Sequence, residues 1–256
     1  MNITILGAHN IESKNTRCVS LLIDDVLAVD TGALTSSLTF EEQQKLKAIL
    51  LTHQHYDHIR DIPAIGMNFR LHENRLDLYS IRPVFDALET HLMNDTQYPN
   101  YFIRPADNPI LRRHVLTPGE AITIDGYQVL PLEVIHSVPA VGFQITGPDG
   151  KKVFFTGDTG PGLAGCWKRI APDLLIIETT ALNTWEEFAR KSGHLTPALL
   201  EKELQAFQLE KGYLPRVVTV HMNPLVEAEL RTQIDAAAAN LGIEIETSFE
   251  GMRITV

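Results

Sequence analysis

Cysteine is nearly absent. Cys18 and Cys166 are the only two in 256 residues, which rules out a disulfide framework and points to a reducing compartment. Long apolar runs are also missing: no stretch approaches the roughly 18 residues that a membrane helix requires. The opening MNITILGAHN has no basic region and too short an apolar stretch for a secretory signal. It reads as a first strand, and cytoplasm is the expected location. Positive charge is short as well, with 22 Lys and Arg against 32 Asp and Glu and a net charge of −10. That excludes the broad basic track on which sequence-independent nucleic-acid binding depends, so nucleic acid is not an expected partner. A small anionic substrate stays compatible, because bound divalent cations would reverse the local field.

What the chain has is a hydrophobic content of 44%, enough for a sizeable core, and it reads as one domain over residues 1–256. Alternating apolar and β-branched residues predict strands at 2–6, 17–23, 26–29 and 48–51, then at 121–124, 127–134, 141–147 and 151–156. The turn GPDGK (147–151) joins the last two of these as a hairpin. Later strands are expected at 174–177, 217–220, 243–246 and 253–256, and helices near 40–46, 82–93, 197–210 and 225–240. Thr196-Pro197 supplies an N-cap and a first-turn proline for the third helix. Two blocks of strands with helices between and after them fit two sheets packed face to face with helices outside. The stretch 94–118, rich in proline and asparagine, reads as a surface loop bordering a site.

One segment calls for a chemical explanation. HQHYDH (53–58) follows the apolar run AILL and places His53, His55, Asp57 and His58 at a strand's C-terminal end, where α/β sheets bind ligands. Histidine and aspartate are poor core residues and poor helix formers, so packing alone does not account for the cluster. If the loop stays extended, positions 53, 55 and 57 share a face while His58 points elsewhere. One loop can then serve two metal ions, His53 and His55 on the first, Asp57 and His58 on the second. Two ions about 3.5–4 Å apart could clamp a hydroxide between them. Further candidates sit just beyond other predicted strands: His136 after PLEVI, Asp158 in TGDTG and His221 after VVTV. On this reading His136 completes the first site, His221 the second, and Asp158 bridges both. Asp30 in AVDTG would orient a ligand histidine. Neither cysteine lies near the cluster, so open catalytic sites are expected in place of a closed structural zinc.

AVDTG, HQHYDH, His136, TGDTG and VHMNP occur in the order found in the metallo-β-lactamase superfamily, whose HxHxDH hallmark HQHYDH resembles. The resemblance implies an α/β (α+β) fold, the four-layer αββα sandwich, with a dinuclear site of two divalent ions, zinc first and manganese or iron next. HxDH in place of ExDH marks a hydrolase and not the di-iron flavoprotein branch. LGAHNIESKNTRCVSLLID at the start, and DLLIIETTALN followed by SGHLTP, resemble the ribonuclease Z and class II cyclic-nucleotide phosphodiesterase group. By that resemblance His194 is catalytic, near the leaving group, and Glu178 orients it; the other reading of SGHLTP is a helix entry capped by Thr196. The reaction implied is hydrolysis of small phosphodiesters such as cyclic nucleotides by attack of a metal-bound hydroxide that Asp57 orients. VIHSVPAVGF at the third histidine lacks the TPGH-like stretch of lactonases and glyoxalase II. The short span from His136 to Asp158 has no room for the tRNA-gripping arm of ribonuclease Z. Asp61 replaces the glycine usual in class II phosphodiesterases. The alternatives are a ribonuclease acting on RNA 3′ ends, with a homodimer partner supplying basic surface, and a lactone, thioester or sulfate-ester hydrolase.

Overall fold

The computed structural model describes all 256 residues. Sheet one is built from β1 (Asn2–Gly7), β2 (Ser20–Ile23), β3 (Leu27–Val29), β4 (Ala48–Leu50), β5 (Leu76–Ser80) and β6 (Leu111–Val115). Sheet two holds β7 (Ile122–Ile124), β8 (Tyr127–Glu133), β9 (Val141–Thr146), β10 (Lys152–Phe155), β11 (Leu174–Glu178), β12 (Arg216–Val220) and β13 (Ile245–Thr247). The chain then returns β14 (Arg253–Thr255) to sheet one beside β1. The spatial orders are β14-β1-β2-β3-β4-β5-β6 and β13-β12-β11-β10-β9-β8-β7.

Each sheet is antiparallel along one half and parallel along the other: β3 to β6 run parallel in sheet one, and β10 to β13 in sheet two. The parallel halves fix where the chemistry sits, because parallel strands send their C-terminal ends to the same rim. Burial follows from the layering. In β11, Leu174 and Ile176 join the core between the sheets, whereas Leu175 and Ile177 face the helices Pro197–Lys211 and Glu227–Leu241. A strand buried on both faces reads as the unbroken apolar run LLII. Helix Ile62–Leu71 covers sheet one through Ile62, Ile65 and Phe69. Four layers result, two helical and two of sheet, as expected.

Some local expectations fail. LDLYS and LRRHV form β5 and β6, although one was not expected as a strand and the other lies inside the stretch expected to be irregular. β6 is an edge strand with a mostly exposed sequence, so it lacks the apolar alternation on which strand recognition rests. The 94–118 stretch packs Tyr101 and Phe102 into the core, and none of its residues enters the histidine cluster described below. Both cysteines are buried and unpaired. No helix is long and apolar enough to cross a membrane.

One buried histidine ties the chain's two ends together. His9, just after β1, lies between two carboxylates, with Nδ1 2.6 Å from Glu250 and Nε2 3.2 Å from Glu227 at the start of helix Glu227–Leu241. Burial opposes its charge, but the two glutamates outweigh burial and raise its pKa. A raised value means that the clamp's stabilisation is full below the unfolded pKa, about 6.5, and is lost as pH rises through the folded value. His9→Gln should therefore lower the urea midpoint more at pH 6 than at pH 9. An equal loss at both pH values would show that the ring contributes packing only.

Candidate dinuclear metal centre

HQHYDH leaves β4 in extended form and turns into a helix at Tyr56, with His55 at its N-cap. His53 and His55 therefore project from extended backbone, while Asp57 and His58 lie in the helical turn. Thr31 holds that turn in place, its N–H and hydroxyl donating to the His58 carbonyl at 2.7 and 3.0 Å. His136 follows β8, Asp158 follows β10 and His221 follows β12, so both sheets contribute to one rim.

Two groups of ligand atoms that share Asp158 assemble there, beside a third made of Glu178, His194 and His221. His53, His55, His136 and Asp158 form one, and Asp57, His58, Asp158 and His221 the other, each within 4.8 Å. Asp158 belongs to both. Its Oδ1 is 3.2 Å from His58 Nε2, and its Oδ2 lies 3.3, 3.7 and 3.9 Å from the Nε2 atoms of His221, His53 and His136. Asp57 Oδ2 reaches His221 Nε2 at 3.3 Å and His58 Nε2 at 3.6 Å. His55 Nδ1 and His136 Nε2 face each other across 3.0 Å.

Divalent cations fit this donor set. The Nε2 atoms of His53 and His58 are buried and have no hydrogen-bond partner, although Asp158 is near both. A buried polar atom without a partner is costly, and an ion between these nitrogens and Asp158 would satisfy them together. The electrostatics agree. Burial pushes His53 well below the ordinary imidazole range, which leaves a lone pair free. Burial also opposes charge on His58, but Asp158, Asp30 and Asp57 together hold it well above that range. Burial favours a neutral Asp158, yet His221 and His58 hold it well below the carboxylate range. A cation in the second group would displace any proton between His58 and Asp158.

The surrounding residues fix each ring. His58 Nδ1 donates to Asp30 Oδ2 at 2.7 Å, which turns Nε2 toward Asp158. Asp30 also accepts from the Thr52 backbone and hydroxyl, both at 2.8 Å, and that hydroxyl is 3.0 Å from His53 Nδ1. His136 Nδ1 donates to the Gly193 carbonyl at 2.9 Å. Gly193 has φ of 77°, and a Cβ there would lie 2.7 Å from the His136 Cα, so only glycine fits. Asp30 and His221 both hold positive φ, 55° and 62°. Left-handed non-glycine backbone of this kind costs about 1–3 kcal/mol and gathers at functional sites.

His194 stands above the junction of the two groups. Its ring stacks on His221 at 5.3 Å and 18°, and meets His136 edge-on at 5.1 Å. Nδ1 is 2.7 Å from Glu178 Oε1, and the side chain keeps 16% exposure. Glu178 is fully buried. Thr196 does cap helix Pro197–Lys211, accepting from the Leu199 N–H, so the helix-entry reading of SGHLTP holds. Asp61 is not in either group; it accepts the Thr35 N–H at 2.7 Å and lies 3.3 Å from Arg60 Nε. The sequence reading passed over Thr52, Thr180 and Gly193.

Residues 21–222 match the family model described as Beta-lactamase superfamily domain. Ribonuclease Z of Methanothermobacter thermautotrophicus is 27% identical, over 77% of this chain and 80% of its own length. Ribonuclease Z of Acaryochloris marina is 29% identical over 57% of this chain and 47% of its own, so the chain spans about half of that relative. Among solved structures, unliganded yeast PDE1 superposes with a TM-score of 0.85 at 17% identity, over 100% of this chain and 99% of the other. The short form of human tRNase Z gives 0.71 at 19% identity, over 100% and 99%. At these identities the structural likenesses show the fold.

The geometry leads to a stoichiometric expectation. Purified without chelator and reconstituted with zinc or manganese, the protein should carry two ions per chain. Asp158→Ala should lose both, because its carboxylate faces both groups. Elemental analysis that finds a single ion in the wild type, or two in the variant, would refute this assignment.

Proposed function

The chain belongs to the beta-lactamase superfamily and is a metal-dependent hydrolase, and from that premise we propose that its substrates are small phosphodiesters such as cyclic nucleotides. The observation that carries the reading is the His194–Glu178 pair set above the two ligand groups. Burial disfavours charge on His194, but Glu178 outweighs it and holds the imidazole up at about 9. Glu178 thus favours the form in which Nε2 carries a proton. A carbonyl ester does not need a third cation above two metal ions. A phosphodiester has charged non-bridging oxygens to neutralise and an alkoxide to expel, and a protonated imidazole serves both.

His53, His55 and His136 would hold one ion, Asp57, His58 and His221 the other, with Asp158 shared. Zinc suits the histidine-rich set, and manganese or iron suits the mixed one. When bound, the ions lower the pKa of a shared water and offset charge on the phosphoryl oxygens. Asp57 is held ionised: burial opposes this, but His58 and His221 beside it depress its pKa. It can therefore orient the attacking water by accepting a hydrogen bond from it. His194 Nε2 donates to the phosphoryl group and then to the departing oxygen, which in a 3′,5′-cyclic nucleotide is the 3′ one. Asp30, Thr52 and Gly193 keep the ligand rings in register.

Two observations favour small diesters over structured RNA. Residues between His136 and Asp158 are taken up by the β9–β10 hairpin, which leaves no arm. The net charge of −10 also leaves no basic track for RNA. The ribonuclease Z relatives make RNA 3′-end cleavage the second reading, and they weaken the expectation that nucleic acid is not a partner.

The metal-loaded protein should turn over cyclic nucleotides and p-nitrophenyl phosphodiesters, and act weakly on lactones, thioesters and tRNA precursors. Site-specific release of a tRNA 3′ trailer as the fastest reaction would establish the second reading instead. His194→Ala should keep its ions and its fold while kcat on cyclic nucleotides falls about 10²–10⁴-fold. The loss should be smaller on p-nitrophenyl esters, whose leaving group hardly needs a proton. Equal losses on both substrate types, accompanied by a lower melting temperature, would mark His194 as structural.

A further inference from the structure

Thr180 makes an unusual set of contacts for a buried hydroxyl. Its Oγ1 is 2.7 Å from His221 Nδ1, 2.8 Å from Glu178 Oε2 and 3.0 Å from the His221 carbonyl. A hydroxyl has one proton to give, and the carboxylate is the strongest of the three acceptors. The hydroxyl then donates to Glu178 and accepts from His221 Nδ1–H. That tautomer leaves the Nε2 lone pair of His221 facing Asp57 and Asp158, each at 3.3 Å. The reverse arrangement would put a proton on Nε2, where an ion would have to sit.

Glu178 completes the chain. Its Oε1 accepts from His194 Nδ1 at 2.7 Å and from the Thr159 N–H at 3.2 Å; its Oε2 accepts from Thr180 and, at 3.2 Å, from the Leu195 N–H. The carboxylate is saturated and fully buried, so neither oxygen can turn away. The opposite sheet repeats the pattern. Asp30 accepts directly from His58, and through the Thr52 hydroxyl it reaches His53. There the two histidines are both candidate ligands. On the Glu178 side one is a candidate ligand and the other is His194.

We propose that Thr180 is a positioning residue that locks His221 in its ligating tautomer and links the second ion site to His194 through Glu178. The inference rests on the dinuclear reading of the site. If His221 Nε2 held an ion, the ring would lose density and its Nδ1–H donation to Thr180 would strengthen. The hydroxyl is thereby polarised toward Glu178, and the position of His194 becomes tied to occupancy of the second site.

The test is competitive zinc titration against a chromophoric chelator, read separately for the two ions. Thr180→Val keeps the branched shape and removes the hydroxyl. It should weaken the second ion about 10–100-fold, the usual effect of losing a group that orients a metal-bound histidine. The first ion, on His53, His55 and His136, should be unaffected. Thr180→Ser should restore the second, and kcat on a cyclic nucleotide should follow second-ion affinity through the series with KM unchanged. Where Thr180→Val does not fold, Thr180→Ala carries the same comparison. Wild-type affinity for both ions in a folded variant without the hydroxyl would overturn the proposal, and so would equal weakening of both. A wild-type protein that binds fewer than two ions would instead refute the dinuclear reading itself.

Discussion

A single buried carboxylate facing four imidazoles sets the terms for the rest of this molecule. Asp158 is 2% exposed and lies within 4 Å of the Nε2 atoms of His53, His58, His136 and His221. Protons alone do not satisfy this arrangement, since two of those nitrogens are left without a hydrogen-bond partner. The cost persists only because the two sheets close on each other over a large apolar core. Divalent cations turn the same arrangement into a favourable one, so their binding adds directly to folding stability.

The orienting groups show how the cost is contained. Each sheet places one carboxylate in the rim, Asp30 after β3 and Glu178 at the end of β11. Each carboxylate takes one histidine directly and a second through a threonine hydroxyl. A short threonine adds reach without a flexible stem, and burial removes competing water. The rings are therefore set before any ligand arrives, which favours catalysis through fixed charges over induced movement. Positive φ at Asp30 and His221 is the backbone counterpart of the same requirement.

Much of this was legible in the sequence, for reasons tied to particular residues. HQHYDH stood out because nothing in core packing explains it, and His136, Asp158 and His221 stood out because each follows an apolar strand. LLII and VVTV were readable as strands because both faces are buried. LRRHV was not, because an exposed edge strand has no face to bury and so no period to display. Thr52, Thr180 and Gly193 were passed over for a different reason. Threonine and glycine are common, and their roles depend on which histidine the fold brings within 3 Å. Asp61 could be noticed as a departure, but the Thr35 N–H that donates to it across 26 residues of sequence could not be anticipated.

SGHLTP shows why structural and catalytic readings of one segment need not compete. Gly193 ends one helix in left-handed conformation and gives its carbonyl to His136; Thr196 begins the next helix as its N-cap. His194 occupies the two-residue gap between a helix stop and a helix start. Its backbone N–H is held by the Ala189 carbonyl, and the next N–H, from Leu195, is held by Glu178. Helix punctuation thus fixes the direction of the ring, and Glu178 fixes its tautomer. A residue placed by both devices would lose little entropy on meeting a phosphoryl group, which is the geometry that the proposed role of His194 requires.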